Sequence, residues 1–400
     1  MQTNILIILL AFLTNACASH KVIPTKVISE NKQEVVVGAA QTDAYVSFLQ
    51  GKNVGLIVNQ TSMIGKTHLV DSLLSLGIKV KKIFSPEHGF RGDAEAGEKV
   101  KDGKDSKTGL PIVSLHGKKF KPDATDMQDI DVLVFDIQDV GVRFYTYIST
   151  LHYCMEACAE NKKQLLLLDR PNPNGHYIDG FVLESKFKSF VGLDPLPVVH
   201  GLTLGEFAMM ANGEGFLDKK IQCNVQIIKC LYYSHDVFYS LQIAPSPNLK
   251  TMRSIYLYPS LCFFEGTNVS LGRGTTTPFE VIGYPKNPAG NFTFTPRPNA
   301  ASSKPPLSGE LCKGFSFTNT DLKDLQSDKQ LNISYLVDFY KNNPNKAAYF
   351  LSNNFIDRLA GTDQLRKMIL EGKTEKEIRE NWQPALNIYK EMRKKYLLYP

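Results

Sequence analysis

Asp131-Val132-Leu133-Val134-Phe135-Asp136 passes through four apolar residues to an acid, and Gln164-Leu165-Leu166-Leu167-Leu168-Asp169 ends the same way. Runs this short, with no polar alternation, read as strands buried on both faces, and such strands belong to parallel sheets covered by helices. The flanking sequence agrees. A strand is predicted over 54–59, and a helix over 67–76 with Leu69, Val70, Leu73, Leu74 and Leu76 mostly on one face. Further strands are predicted within 78–84 and over 111–115 and 225–230, with a short helix over 122–128 and longer ones over 147–161 and 204–212. The fold class is therefore α/β, with a Rossmann-like parallel sheet domain over 43–240. Past residue 240 proline and glycine become frequent through Pro306, and helical spacing returns over 335–341, 364–371, 374–381 and 384–396. This reads as a smaller α+β C-terminal domain over 241–400.

Composition narrows the function classes. A chain of 400 residues with 43% hydrophobic and 22% charged residues folds, and is long enough for two domains. The net charge of +6 is spread along the chain, densest at 118–121 and 393–395. It forms no basic stripe with interleaved aromatics, so no nucleic-acid partner is expected. A mildly basic surface does suit an anionic substrate.

Residues 1–17 read as a lipoprotein-type signal peptide: a nine-residue apolar core, Ile5 to Leu13, then Ala16-Cys17. The segment has no Lys or Arg before the core, and Thr14 stands where such signals usually carry Leu. Residues 18–42 read as a polar tether. The expectation is an exported protein of the periplasm or cell envelope, lipid-anchored through Cys17. The other six cysteines show no CxxC or CxxH spacing, so no structural zinc is expected and buried thiols are the simplest reading. No Gly-x-Gly-x-x-Gly, Walker loop, Gly-x-Ser-x-Gly or His-Glu-x-x-His occurs, and no cofactor is expected.

In an open parallel sheet, ligands bind beyond the carboxyl ends of the strands. Three acids stand there: Glu87 in Ser85-Pro86-Glu87-His88-Gly89-Phe90-Arg91-Gly92, Asp136 and Asp169. A Glu partly desolvated in such a crevice holds its proton to higher pH and can donate it near neutrality. His88 is a second acid/base candidate. Asp136-Ile-Gln138-Asp139-Val-Gly141-Val-Arg143-Phe-Tyr145-Thr-Tyr147 mixes acids, an amide, a guanidinium and two phenols, a set that suits sugar binding. Asp169-Arg170-Pro-Asn172 makes a stiff loop after a strand. In the second half, Glu265-Gly-Thr-Asn268 precedes Gly272-Arg273-Gly274, where two glycines let the backbone approach a ligand. His200 and Glu206 are further candidates. For each segment the competing reading is an internal network of hydrogen bonds and ion pairs.

In series, these motifs resemble the bacterial exo-β-N-acetylmuramidases, glycoside hydrolase family 171, from about Gly51 to Tyr399. Pro245-Ser-Pro-Asn-Leu249 and the terminal Arg393-Lys-Lys-Tyr-Leu-Leu-Tyr399 fall in family order too. The resemblance implies release of N-acetylmuramic acid from the non-reducing ends of peptidoglycan fragments. It also implies an active site in the cleft between the two domains, with Glu87 as the leading catalytic residue. A glycosidase needs a carboxyl to protonate the leaving oxygen and a second group for water or the sugar cation. Asp136, Asp139, Asp169 and Glu265 compete for that second role. Muramic acid carries a lactyl carboxylate, and Arg91, Arg143, Arg170 and Arg273 are candidate partners for it. Gln138, Tyr145, Tyr147, Asn172, His200, Glu265 and Asn268 complete the expected substrate contacts. Two other readings stand: a metal-dependent hydrolase or esterase using the Asp136, Asp139 and Asp169 cluster, and a lipoprotein that binds muropeptides without cutting them.

Overall fold

Every second residue of β1 (Asn53–Val58) faces the same side, and both sides are apolar. Val54, Leu56 and Val58 join one buried cluster, while Ile57 joins another. The same division runs along β7 (Val132–Asp136) and β8 (Gln164–Leu168): Val132, Val134, Leu166 and Leu168 on one side, Leu133, Phe135, Leu165 and Leu167 on the other. A sheet apolar on both faces must be covered on both. α1 (Val46–Leu49) and α2 (Leu69–Ser75) cover the first face, and α4 (Tyr147–Glu160) and α5 (Leu204–Gly213) the second. The short α3 (Ala124–Met127) leads into β7.

The computed structural model describes residues 33–90, 98 and 102–400. The predicted signal peptide with Cys17, most of the tether and Arg91 lie outside the described residues. A small ribbon, β2 (Met63–Ile64) with β3 (Thr67–His68), follows β1. The main sheet adds β4 (Lys79–Ser85), β5 (Gly103–Lys104), β6 (Pro111–Ser114) and β9 (Asn224–Ile228), in the order β5-β6-β4-β1-β7-β8-β9. Every pairing is parallel except β5 with β6. The six parallel strands, counted in chain order, run 3-2-1-4-5-6 across the sheet, the doubly wound Rossmann arrangement.

The second half contains a three-stranded antiparallel sheet, β10 (Val281–Tyr284), β12 (Cys312–Ser316) and β11 (Phe292–Phe294), in the order β10-β12-β11. Its helices are α6 (Met252–Leu261), α7 (Leu322–Ser327), α8 (Ser334–Asn342), α9 (Phe355–Ala360), α10 (Gln364–Leu370) and α11 (Glu375–Arg393). One apolar core runs from Ile57 through α4 and α5 to Trp382, Leu386 and Tyr389 of α11, and Val35–Pro400 is a single unit.

Three local expectations change. The helix predicted from residue 67 begins at Leu69, because Thr67 and His68 pair with β2 and the His68 side chain accepts the Val70 N–H as cap. α6 escaped sequence reading: Thr251 and Ser254 form its capping box, and Pro259 lies in its last turns. The two helices predicted over 374–381 and 384–396 are one. Pro384 and Glu380, whose carbonyl it leaves unpaired, are exposed to water, while Trp382, Leu386 and Tyr389 bind the opposite face.

Candidate functional site

β4 delivers the chain to Pro86 and Glu87 at the carboxyl edge of the sheet. The next residue, His88, is buried with φ 71°, a left-handed backbone that a side chain rarely adopts, and Gly89 follows at φ 80°. The turn brings Glu87 onto the wall of a cavity of about 1330 Å³. That volume exceeds the usual range for small-ligand pockets, about 300–1000 Å³. The wall draws on both halves of the chain: Glu87, His88, His116, Phe144 to Tyr147, Phe190 and Val191 from the first, and Glu265, Asn268, Arg273, Phe279 and Lys304 among those from the second.

Glu87 is held from two sides. The Thr146 hydroxyl donates to its Oε2 at 2.5 Å, and His116 Nε2 lies 3.9 Å from its Oε1. The carboxyl side chain remains 13% exposed, open to a ligand. Behind it, the Tyr147 hydroxyl reaches the Glu87 carbonyl at 3.5 Å and the Pro245 carbonyl at 3.2 Å, and accepts from Asn59 Nδ2 at 2.9 Å. One phenol thus ties the loops after β1 and β4 to the Pro245-Ser246-Pro247 segment. Tyr145 packs edge-on against Tyr147 at 4.9 Å, and Tyr258, Phe264 and Phe279 continue the apolar lining. His116 and Thr146 went unread in the sequence. Nothing in His116 or its neighbours marks it; only the pairing of β6 with β4 sets it beside Glu87.

Also on the wall, Arg273 pairs with Glu265, Nε to Oε1 at 3.2 Å, and lies over the Phe279 ring with 5.0 Å between guanidinium carbon and centroid. Burial by itself lowers the Arg273 pKa, but the Glu265 carboxylate outweighs it and the guanidinium stays charged. Asn268 is fixed by its backbone N–H to the Tyr349 carbonyl at 2.9 Å. Lys304 stands exposed on the wall, and its ammonium has no partner among the described residues.

The other candidates are built into the scaffold. Arg170 grips Asp136 at two points, 2.6 and 2.9 Å, and Asp136 is fully buried, so neither group reaches the cavity. Asp169 accepts from Tyr399 at 2.7 Å, Thr203 at 2.7 Å and the Gly205 N–H at 2.9 Å. Burial raises its pKa to about 6 against the pull of those donors. Arg143 turns its two terminal nitrogens to the carbonyls of Phe181, Leu196 and Leu359. Without a counter-ion, burial pulls it down to about 9. Gln138 bridges the Asp139 and Pro171 carbonyls, and Asn172 bonds the Leu202 carbonyl and lies where a Cβ on Gly141 (φ 77°) would be. His200 is buried, accepts the Leu202 N–H, and is pushed down to about 3 by burial and then by Arg393 and Arg143. Glu206 caps α5 and holds the C-terminal backbone at Leu398.

Asp139 is intermediate. Its Oδ1 accepts the Gly141 N–H at 2.6 Å, its Oδ2 is buried without a partner, and burial pushes its pKa up to about 7. It is not on the cavity wall. The Asp136, Asp139 and Asp169 cluster expected of a metal hydrolase therefore does not converge. Among the described residues no three His, Cys, Asp or Glu side chains are grouped to hold a metal ion.

Comparison with known proteins accounts for nearly the whole chain. Residues 54–253 match the family model for the N-terminal part of the exo-β-N-acetylmuramidase NamZ, and residues 256–399 match that for its C-terminal part. The peptidoglycan β-N-acetylmuramidase NamZ of Bacillus subtilis is 38% identical over 375 residues, 89% of each chain. Two crystal structures of DUF1343 family proteins from Bacteroides fragilis superpose on it. One has a TM-score of 0.84 at 46% identity and the other 0.78 at 30%, each covering 92% of this chain and 99% of its own.

Proposed function

The chain belongs to the exo-β-N-acetylmuramidase family, and on that premise we propose that it hydrolyses terminal, non-reducing N-acetylmuramic acid from peptidoglycan fragments with Glu87 as general acid. The observation that carries the assignment is the placement of Glu87: a partly exposed carboxyl, bonded by Thr146 and with its backbone carbonyl against Tyr147, on the wall of a cavity lined by aromatic rings. As general acid, the Glu87 carboxyl delivers the proton. Transfer to the glycosidic oxygen lets the leaving sugar depart as an alcohol while positive charge grows on the muramyl ring. Of the four carboxylates weighed for the second role, Glu265 alone reaches the cavity, with Arg273 holding it.

The acidic substrate needs a cation. Among the described candidates Arg143 and Arg170 are committed to the scaffold and Arg273 to Glu265, and the exposed Lys304 ammonium on the cavity wall is suited to meet the lactyl carboxylate; Arg91 lies outside the described residues.

Glu87→Gln keeps the shape and the Thr146 contact but removes the proton donor. Release of muramic acid from the disaccharide N-acetylmuramyl-β-1,4-N-acetylglucosamine, followed as new reducing ends, should fall roughly 10²- to 10⁴-fold with an unchanged melting temperature. A variant that turns over at the wild-type rate would remove Glu87 from the mechanism.

A further inference from the structure

The cavity has an aromatic shelf beside its acid that the chemistry at Glu87 does not use. Ser189 and Gly192 exchange backbone hydrogen bonds at 2.9 Å in both directions, making a tight hairpin with Phe190 and Val191 at its tip. Both tip residues line the cavity. The hairpin is seated from behind, since a Cβ on Gly192 would meet Arg143 Nε at 3.3 Å and Arg143 is itself pinned to three carbonyls.

The Phe190 ring is held as firmly as its backbone. It meets Phe120 at 4.2 Å between centroids and runs nearly parallel to Tyr153, 9° between planes at 6.4 Å. His116, the neighbour of the Glu87 carboxyl, lies 5.8 Å from Phe190 and 5.7 Å from Phe120. Phe120, Tyr153 and Phe190 are all only half-buried. Of the three only Phe190 lines the cavity, and its half-buried ring, backed by Phe120, leaves apolar area there for a ligand to cover.

Position says which part of the substrate that is. A general acid protonates the oxygen between the two sugars, so the leaving sugar lies on the acid's outer side. The volume of the cavity is more than a small ligand fills. The polar wall with Arg273 and Lys304 belongs to the second half of the chain, and the aromatic shelf to the first, on the His116 side of Glu87. We propose that Phe190, buttressed by Phe120 and Tyr153, is the platform on which the N-acetylglucosamine leaving sugar stacks, and so sets the enzyme's preference for a sugar aglycone. The inference rests on the muramidase reading and deepens it.

The test compares two substrates that differ only beyond the scissile bond: the disaccharide, and β-N-acetylmuramyl fluoride, whose leaving group is too small to touch the shelf. Phe190→Ala should lower the ratio of kcat/KM for disaccharide over fluoride roughly tenfold, the size of one aromatic contact of about 1.4 kcal/mol. Phe190→Tyr, which keeps the ring, should restore most of that ratio. A misfolded fraction lowers both rates alike and cancels from the ratio. An unchanged ratio in Phe190→Ala, with both substrates still cleaved, would overturn the platform and leave the muramidase reading standing. A wild-type enzyme that cleaved neither substrate would overturn both.

Discussion

Glu87 and Asp136 look alike in the sequence, each an acid at the end of an apolar strand, and the structure gives them opposite work. Asp136 meets a bidentate guanidinium and is fully buried, so it is out of reach of any ligand in the cavity. Glu87 meets a hydroxyl and an imidazole on the wall of the cavity, where a ligand can reach it. The difference lies in the partner's identity. Arg170 follows β8, thirty-four positions away, and only the neighbouring of β7 and β8 in the sheet brings it to Asp136. Lys304 makes the reverse case, a residue without a motif that stands exposed on the wall, its ammonium unpaired among the described residues. Its substitution is the sharpest residue-scale test of substrate recognition. Lys304→Gln should raise KM for the free-acid disaccharide about fivefold, with little change for the analogue whose lactyl group is an amide. An equal rise for both substrates would mean that the lysine reads something other than the carboxylate.

At the scale of elements, α4 carries both the site and a charged anchor. Its first turn presents Thr146 and Tyr147 to Glu87, and one turn later His152 is buried between Asp194, at 2.9 Å, and Glu156, at 3.2 Å. Burial alone lowers the His152 pKa, but the two carboxylates outweigh it and hold it up at about 9. Lys121 faces the same group from the segment before α3, 3.2 Å from Glu156. The folded pKa lies above the unfolded value of about 6.5, so the stabilisation is complete below pH ~6.5 and is lost as pH rises through about 9. His152→Gln should therefore cost about 3 kcal/mol by denaturant unfolding at pH 6 and clearly less at pH 9.5. A cost independent of pH would show that the imidazole is neutral in the fold.

Across the whole molecule, the two halves are joined through buried polar contacts as well as through the shared core. Arg143 bonds the Leu359 carbonyl, Trp382 Nε1 bonds Asp179 at 2.9 Å, and Tyr389 bonds the His200 carbonyl at 2.7 Å. The chain end is part of this lock. Tyr399 donates to Asp169 at 2.7 Å and accepts the Cys230 N–H at 2.9 Å, while Pro400 receives the His235 N–H. Tyr399→Phe leaves a buried carboxylate and a buried N–H each one partner short, and should lower the unfolding free energy by about 2 kcal/mol. Because Asp169 lies away from the cavity, KM for the disaccharide should not move. A KM change without a stability change would return Asp169 to the active site.

Apolar runs such as 131–136 and 164–169, alternating with amphipathic helices, determined the parallel sheet, because strands buried on both faces need helices to cover them. The Pro86–Gly89 loop likewise placed Glu87 at the carboxyl edge, and the motif series carried the family. Patterning was weaker in the second half, where α6 hides among prolines and α11 passes through Pro384. Tertiary structure alone decided which ionisable groups face the cavity. A side chain's partner is set by strand order and chain crossing, so Asp136 and Asp169 became ion-pair and latch, while His116, Phe190 and Lys304 reached the wall from segments with no signal of their own.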